Sequence, residues 1–189
     1  MINAYERKKQ PAVVRRSLLD HGAQLCMLHG VASLTLQAVA EAAGVTKGGL
    51  LHHFRSKQEL VEAIFEDLLA SFDAGLEEAM AGDPEPHGRF TRAYIHETLD
   101  LIDDGRFSPW AALTMAMLAD AGLRHRWADW LQQRLERHRI TDGAPSLQIV
   151  RYAADGLWLA SLIGEVEADP AKRSALFHQL IAMTKDSAP

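Results

Sequence analysis

Residues 35–60 read TLQAVAEAAGVTKGGLLHHFRSKQEL. Thr35 is a good helix N-cap, and Leu34 and Val39 flank it at the spacing of a hydrophobic staple. The helix that follows stops at Gly44, a residue suited to the left-handed conformation that ends helices. Thr46 caps a second short helix. Ser56 and Glu59 have capping-box spacing and open a third. Two short helices joined by a tight glycine turn form a helix-turn-helix, which can project a few polar side chains into a DNA major groove.

The segments on either side are also helical. A helix over about Ala12 to Leu28 carries Val14, Leu18, Leu25 and Leu28 as its apolar stripe and ends at Gly30. The helix opened by Ser56 continues to about Met80, with Val61, Phe65, Leu68, Phe72 and Leu76 on one face. Beyond the break at Asp83-Pro84-Glu85-Pro86, the pattern predicts helices over 87–104, 108–121, 123–139, 145–166 and 170–185. The breaks between them fall at Gly105, Gly122, Gly143-Ala144-Pro145 and Asp169-Pro170. β-branched alternation is scarce and no Asn-Gly hairpin turn occurs. The expected fold is all-α with about nine helices: an N-terminal three-helix module containing the helix-turn-helix, over residues 1–57, and a larger bundle over 58–189.

The 189 residues carry a net charge of −5, but the charge is segregated. Residues 1–60 hold eight Lys/Arg against four Asp/Glu, a net +4, while the remainder is −9. The basic residues include the arm Arg7, Lys8 and Lys9 and, inside the patterned segment, Lys47, Arg55 and Lys57. A basic module on an acidic body suits a protein of which one end meets phosphate. The single cysteine, Cys26, lies in an apolar run and reads as buried packing, consistent with a reducing compartment. No apolar run is long enough for a membrane span, and the polar N-terminus has no signal-peptide core, so a cytoplasmic location is expected.

The N-terminal helix ending in LHGVASLT, then LQAVAEAAGVTKGGLLHHF, then SKQEL, resembles the TetR family of transcriptional regulators over roughly residues 12–65. The resemblance implies a homodimer whose two N-terminal modules bind a palindromic operator on double-stranded DNA. It also implies a small-molecule effector, taken up by the C-terminal bundle, that releases the DNA. The chain departs from the family pattern at Leu51: many relatives carry an aromatic hydroxyl there, which looks like a phosphate contact.

The residues of the module can be read individually. Thr46, Lys47, Gly48 and Gly49 form the leading turn of the recognition helix, the end that reaches base edges in docked helix-turn-helix proteins. Lys47 can meet guanine acceptors or a phosphate. Two adjacent glycines are costly in a helix, at roughly 1 kcal/mol each relative to Ala. They suggest either that DNA approaches closely or that the helix orders on DNA. Gln37 is placed for a phosphate or a base, and Thr35 can cap and still offer its hydroxyl. Lys57 is placed for phosphate at a helix start. Leu51 could touch a thymine methyl, and His52 could reach a phosphate, while His53 packs or caps. His52 and His53 point about 100° apart and do not form a chelating i, i+4 pair, so no metal is expected.

In the larger part, Phe90, Tyr94, Phe107, Trp110, Met115, Met117, Trp127 and Trp130 supply much aromatic and Met surface, with Trp158 further on. Individually they read as core; together they could line an apolar effector pocket. Glu97, Asp100, Asp103 and Asp155 lie nearby in sequence, and an acid facing such a pocket would suit a lipophilic cation. Ala153, Gly156, Ala160 and Gly164 form a smooth stripe, with Leu157 beside it. With Leu176, Leu180 and Met183 of the last helix, they resemble the family's dimerisation pair. Intramolecular packing of the same stripe is the alternative. A two-fold dimer would set its recognition helices about 34 Å apart.

The reading is therefore a ligand-responsive repressor. The alternatives are a helical DNA-binding regulator without a small-molecule ligand and a helical interaction protein that binds no DNA. The chain carries no nucleophile motif, metal-spaced His/Cys cluster or phosphate-binding glycine loop, so neither an enzyme nor a cofactor is expected.

Overall fold

A computed structural model describes residues 11–104, 108–164 and 169–185. The described residues form ten helices and no strand: α1 (Pro11–Ser33), α2 (Leu36–Ala42), α3 (Lys47–Leu51), α4 (Lys57–Gly82), α5 (Arg89–Asp104), α6 (Pro109–Ala119), α7 (Ala121–Arg137), α8 (Arg139–Asp142), α9 (Pro145–Leu162) and α10 (Pro170–Met183). The fold is all-α, as the periodicity predicts. Arg7, Lys8, Lys9, Gly105 and Phe107 lie outside the described residues. The chain divides into two compact units between Leu68 and Leu69, inside α4. The sequence reading sets its division at 57/58, where α4 starts. The first turns of α4 belong to the earlier unit because Leu60, Val61, Ile64 and Phe65 are buried there.

In the first unit the local signals act as written. Thr35 Oγ1 accepts from Ala38 N at 3.1 Å and Thr46 Oγ1 from Gly49 N at 3.0 Å. Ser56 Oγ accepts from Glu59 N at 3.0 Å, while the Glu59 carboxylate reaches back to Arg55 N at 2.7 Å. Gly44, with φ 64°, closes the turn between α2 and α3 in the left-handed region. Gly30 has φ 76° and interrupts α1, so the expected stop at Gly30 is real and Val31–Ser33 form one further turn.

The buried face of α1 is Leu18, Leu19, Gly22 and Cys26, which corrects the stripe read from sequence: Leu28 is 64 % exposed. At about 100° per residue, Leu28 lies far round the helix from the Leu18–Gly22–Cys26 row. Gly22 went unnoticed in the sequence because a glycine gives no hydropathy signal. A Cβ there would sit 2.7 Å from Ile64 Cδ1, so the missing side chain lets α1 approach α4 closely.

The second unit has its own core, with Phe72, Leu76, Phe90, Tyr94, Ile95, Val150, Ala154, Phe177 and Leu180 buried together. The helix not foreseen, α8, is a single turn whose last residue, Asp142, is buried. Its carboxylate accepts from Thr91 N at 2.8 Å and Thr91 Oγ1 at 2.7 Å, capping the start of α5. Arg151 of α9 closes this network by donating to Thr91 Oγ1 at 2.7 Å and to the Asp142 carbonyl at 3.2 Å. Buried polar groups are tolerated when so satisfied. No described helix is long and apolar enough to cross a membrane.

Candidate nucleic-acid interface and effector cavity

The helix-turn-helix carries its candidate contacts on the surface. Thr35, Gln37, Thr46, Lys47, Gly48, Leu51 and His52 are exposed, and Gly49 and Lys57 are half-buried. The interior of the module is Leu34, Val39, Ala40, Leu50 and Phe54, all buried, with Ala43 and Val45 at its margin. This fixes α3 by its apolar side and leaves Thr46, Lys47 and Gly48 facing out. Gln37 Nε2 donates to Glu41 Oε1 at 2.6 Å, so its amide is held along α2. Lys57 Nζ donates to the Ala32 carbonyl at 2.7 Å, tying the end of α1 to the start of α4. The ammonium has three donors, so this contact leaves others for a phosphate. Sequence reading did not single out Arg15, whose guanidinium carbon lies 4.5 Å from the centre of the Phe54 ring. That contact joins residues far apart in the chain, and no local pattern announces it.

Cys26 is fully buried, and burial pushes its thiol up to about 11. It is a packing residue with little thiolate at neutral pH.

The second unit contains a cavity of about 200 Å³. Of the residues singled out in the sequence, Tyr94, Trp110, Met117, Trp127 and Asp155 line it together. Phe72, Thr98, Leu101, Thr114, Leu118, Trp158 and Leu159 complete the wall. Phe72 read as a plain core position on α4. Its ring sits among Tyr94, Trp110, Trp127 and Trp130, at centroid distances of 5.9, 5.7, 6.2 and 5.6 Å.

Three of the expected pocket residues are corrections. Phe90 is fully buried and stacks on His138 at 5.0 Å, away from the cavity. Met115 is 51 % exposed on the outside of α6. Trp130 packs behind Phe72, and its Nε1 donates to Asp73 at 2.9 Å, beside the Arg134–Asp73 ion pair. Its polar handle is thereby used structurally.

The smooth stripe of α9 faces outward. Ile149, Tyr152, Ala153, Gly156 and Ile163 are exposed at helical spacing, Gly164 is exposed and Ala160 is half-buried. A Cβ added at Gly156 would meet nothing beyond its own helix backbone within 4 Å, so no contact among the described residues requires a glycine there. On α10, Leu176 and Met183 are exposed. Leu180 is a correction, being only 8 % exposed within the core, while Leu157 is half-buried and packs partly against that core. One position of rotation on a helix separates these core residues from the outer stripe.

These features define a helix-turn-helix protein with a separate helical body. Residues 18–64 match the family model described as bacterial regulatory proteins, tetR family, and residues 88–185 match that of the Tetracyclin repressor-like C-terminal domain. The chain belongs to the TetR family of transcriptional regulators, a family of DNA-binding regulators rather than enzymes. Among its relatives is the HTH-type transcriptional repressor KstR2 of Mycolicibacterium smegmatis. It is 24% identical over 173 residues, which are 83% of this chain and 82% of that protein. Similar solved structures include SCO4454, a TetR-family transcriptional regulator from Streptomyces coelicolor, with TM-score 0.72 and 20% identity, over 94% of this chain and 97% of that one. The SmeT–triclosan complex has TM-score 0.66 and 21% identity, covering 90% of each chain.

Proposed function

We propose that this chain is a ligand-responsive repressor that binds a palindromic operator as a homodimer and is released by a compact apolar effector. The observation that carries the reading is the cavity itself: five residues chosen from sequence as an effector pocket converge on one aromatic-walled space. A solved relative in complex with triclosan, and a curated relative named a transcriptional repressor, support the same reading. Thr46, Lys47, Gly48 and Gly49 would enter the groove, with Leu51 beside them. Thr35, Gln37, His52 and Lys57 would hold the phosphates, and the positive end of α4 would assist. The exposed stripe of α9 with Leu176 and Met183 would form the two-fold contact. α4 starts in the helix-turn-helix unit and carries Phe72 in the cavity wall, which supplies a route for the effector to act on DNA binding. Such a protein works in the cytoplasm, where its operator is.

A gel shift on the DNA flanking its own gene tests the proposal. Binding by a dimer that small apolar compounds abolish is the expected result. Binding that no ligand alters would favour a regulator controlled by a partner protein, and no binding to any flanking DNA would remove the repressor reading.

A further inference from the structure

We infer that the cavity of the second unit selects a compact aromatic amine, protonated at neutral pH, whose ammonium is held by Asp155 and whose body is enclosed by Phe72, Trp110, Trp127 and Trp158. This inference rests on the cavity being the effector site and adds the chemical class of the effector.

The charge in the cavity is one-sided. Of the described lining residues, Asp155 and Tyr94 are the ionisable ones, and no Lys, Arg or His is among them. Tyr94 OH donates to Asp155 Oδ1 at 2.5 Å, which fixes the carboxyl group as an acceptor and joins α5 to α9. A carboxylate has about four acceptor sites, so one hydroxyl leaves most of them open. The nearest cation on the same helix, Arg151, is engaged elsewhere, with Thr91 Oγ1 and the Asp142 carbonyl. Among the described residues Asp155 therefore has no ion-pair partner. Burial raises its pKa, and the Tyr94 hydroxyl and the more distant charge of Arg151 offset only part of that cost. A buried carboxylate of this kind is stabilised by a ligand that brings the missing positive charge.

Thr98, Thr114 and Trp158, also in the wall, are hydrogen-bonded within the protein. Thr98 Oγ1 donates to the Tyr94 carbonyl at 2.7 Å, and Trp158 Nε1 donates to Thr114 Oγ1 at 3.3 Å. The aromatic rings turn different faces inward: Trp110 and Trp127 meet at 80°, Phe72 and Trp110 at 65°. Rings set at such angles present π-faces and edges from several sides, which suits a cation attached to an aromatic body. An anion would meet a carboxylate of like charge among π-faces. A neutral isostere would displace water from Asp155 without bringing it a counter-charge. At about 200 Å³ the space is below the usual range of about 300–1,000 Å³ for ligand pockets, so the ligand must be compact.

Calorimetric titration of the full-length protein with naphthylmethylamine, naphthylmethanol and naphthoate tests the assignment. The amine should bind at least about tenfold more tightly than the alcohol, and naphthoate most weakly. Asp155→Asn should erase the preference for the amine while retaining the alcohol. Tyr94→Phe, which keeps the carboxyl group, should retain the preference. In a gel shift the amine should release operator at concentrations where the alcohol does not. Alcohol or naphthoate binding as tightly as the amine to the unmodified protein would overturn the amine assignment and leave the cavity standing as an effector site. The same holds for an undiminished preference in Asp155→Asn. If none of the three binds a protein that still binds its operator, both the assignment and the effector site fall. The ranking in the unmodified protein decides the matter even if a variant fails to fold.

Discussion

At the scale of single residues, the two glycines of α3 differ. A Cβ at Gly49 would lie 3.3 Å from Thr46 Oγ1, close against the hydroxyl that caps the helix through the Gly49 amide. At Gly48 the nearest atom outside the helix backbone, the same oxygen, is 4.0 Å away, so nothing among the described residues excludes a methyl group. Gly48→Ala should therefore stabilise the free protein, by up to about 1 kcal/mol. If the Gly48 backbone closes on DNA, the same methyl should weaken operator binding about tenfold or more. Chemical denaturation and a gel shift measure the two effects separately. A more stable variant with unchanged operator affinity would remove the close approach at Gly48 and leave Lys47 and Thr46 as the groove contacts.

At the scale of elements, the corner between α7 and α8 is sensitive to acid. His138 stacks on Phe90 with an interplanar angle of 5°, and its Nε2 is buried without a hydrogen-bond partner. Burial holds its pKa below the usual histidine value, with Arg134 and Arg137 adding to that and Asp142 and Glu77 opposing it. The folded pKa thus lies below the unfolded one, near 6.5. The resulting stabilisation is complete above that value and is lost as pH falls through it toward the folded pKa. His138→Phe keeps an aromatic ring on Phe90 and removes the proton site. Its melting temperature should fall less between pH 7 and pH 5 than that of the parent. Equal falls in the two proteins would show that protonation of His138 does not load this corner.

At the scale of the whole molecule, the outer stripe of α9 carries the dimer proposal. Gly156→Arg places a long charged chain in open space, with no described atom beyond its own helix backbone within 4 Å of the new Cβ. The fold of the protomer should survive while the two-fold contact does not. Sedimentation should then show a monomer, and operator affinity should drop by about two orders of magnitude or more, because the second half-site is no longer bound intramolecularly. A dimeric variant with full operator affinity would move the interface away from Gly156.

The sequence by itself determined the longer helices, the caps of α2, α3 and α4 and the turn between α2 and α3. Thr35, Thr46, Ser56, Gly30 and Gly44 act on backbone within a few positions of themselves, so their meaning travels with the local string. Tertiary structure decided which aromatic residues see the cavity and which leucines see the core. Trp127 and Trp130 stand one turn apart, yet Trp127 lines the cavity while Trp130 donates to Asp73, 57 positions away. Asp142, which ends a short helix that no periodicity foretold, bonds Thr91, 51 positions away. Leu157 turns inward and Gly156 outward through the rotation of α9 alone. Such choices depend on how each helix is rotated against distant neighbours. A hydropathy pattern constrains that rotation to a broad face, and only long-range packing selects the residue.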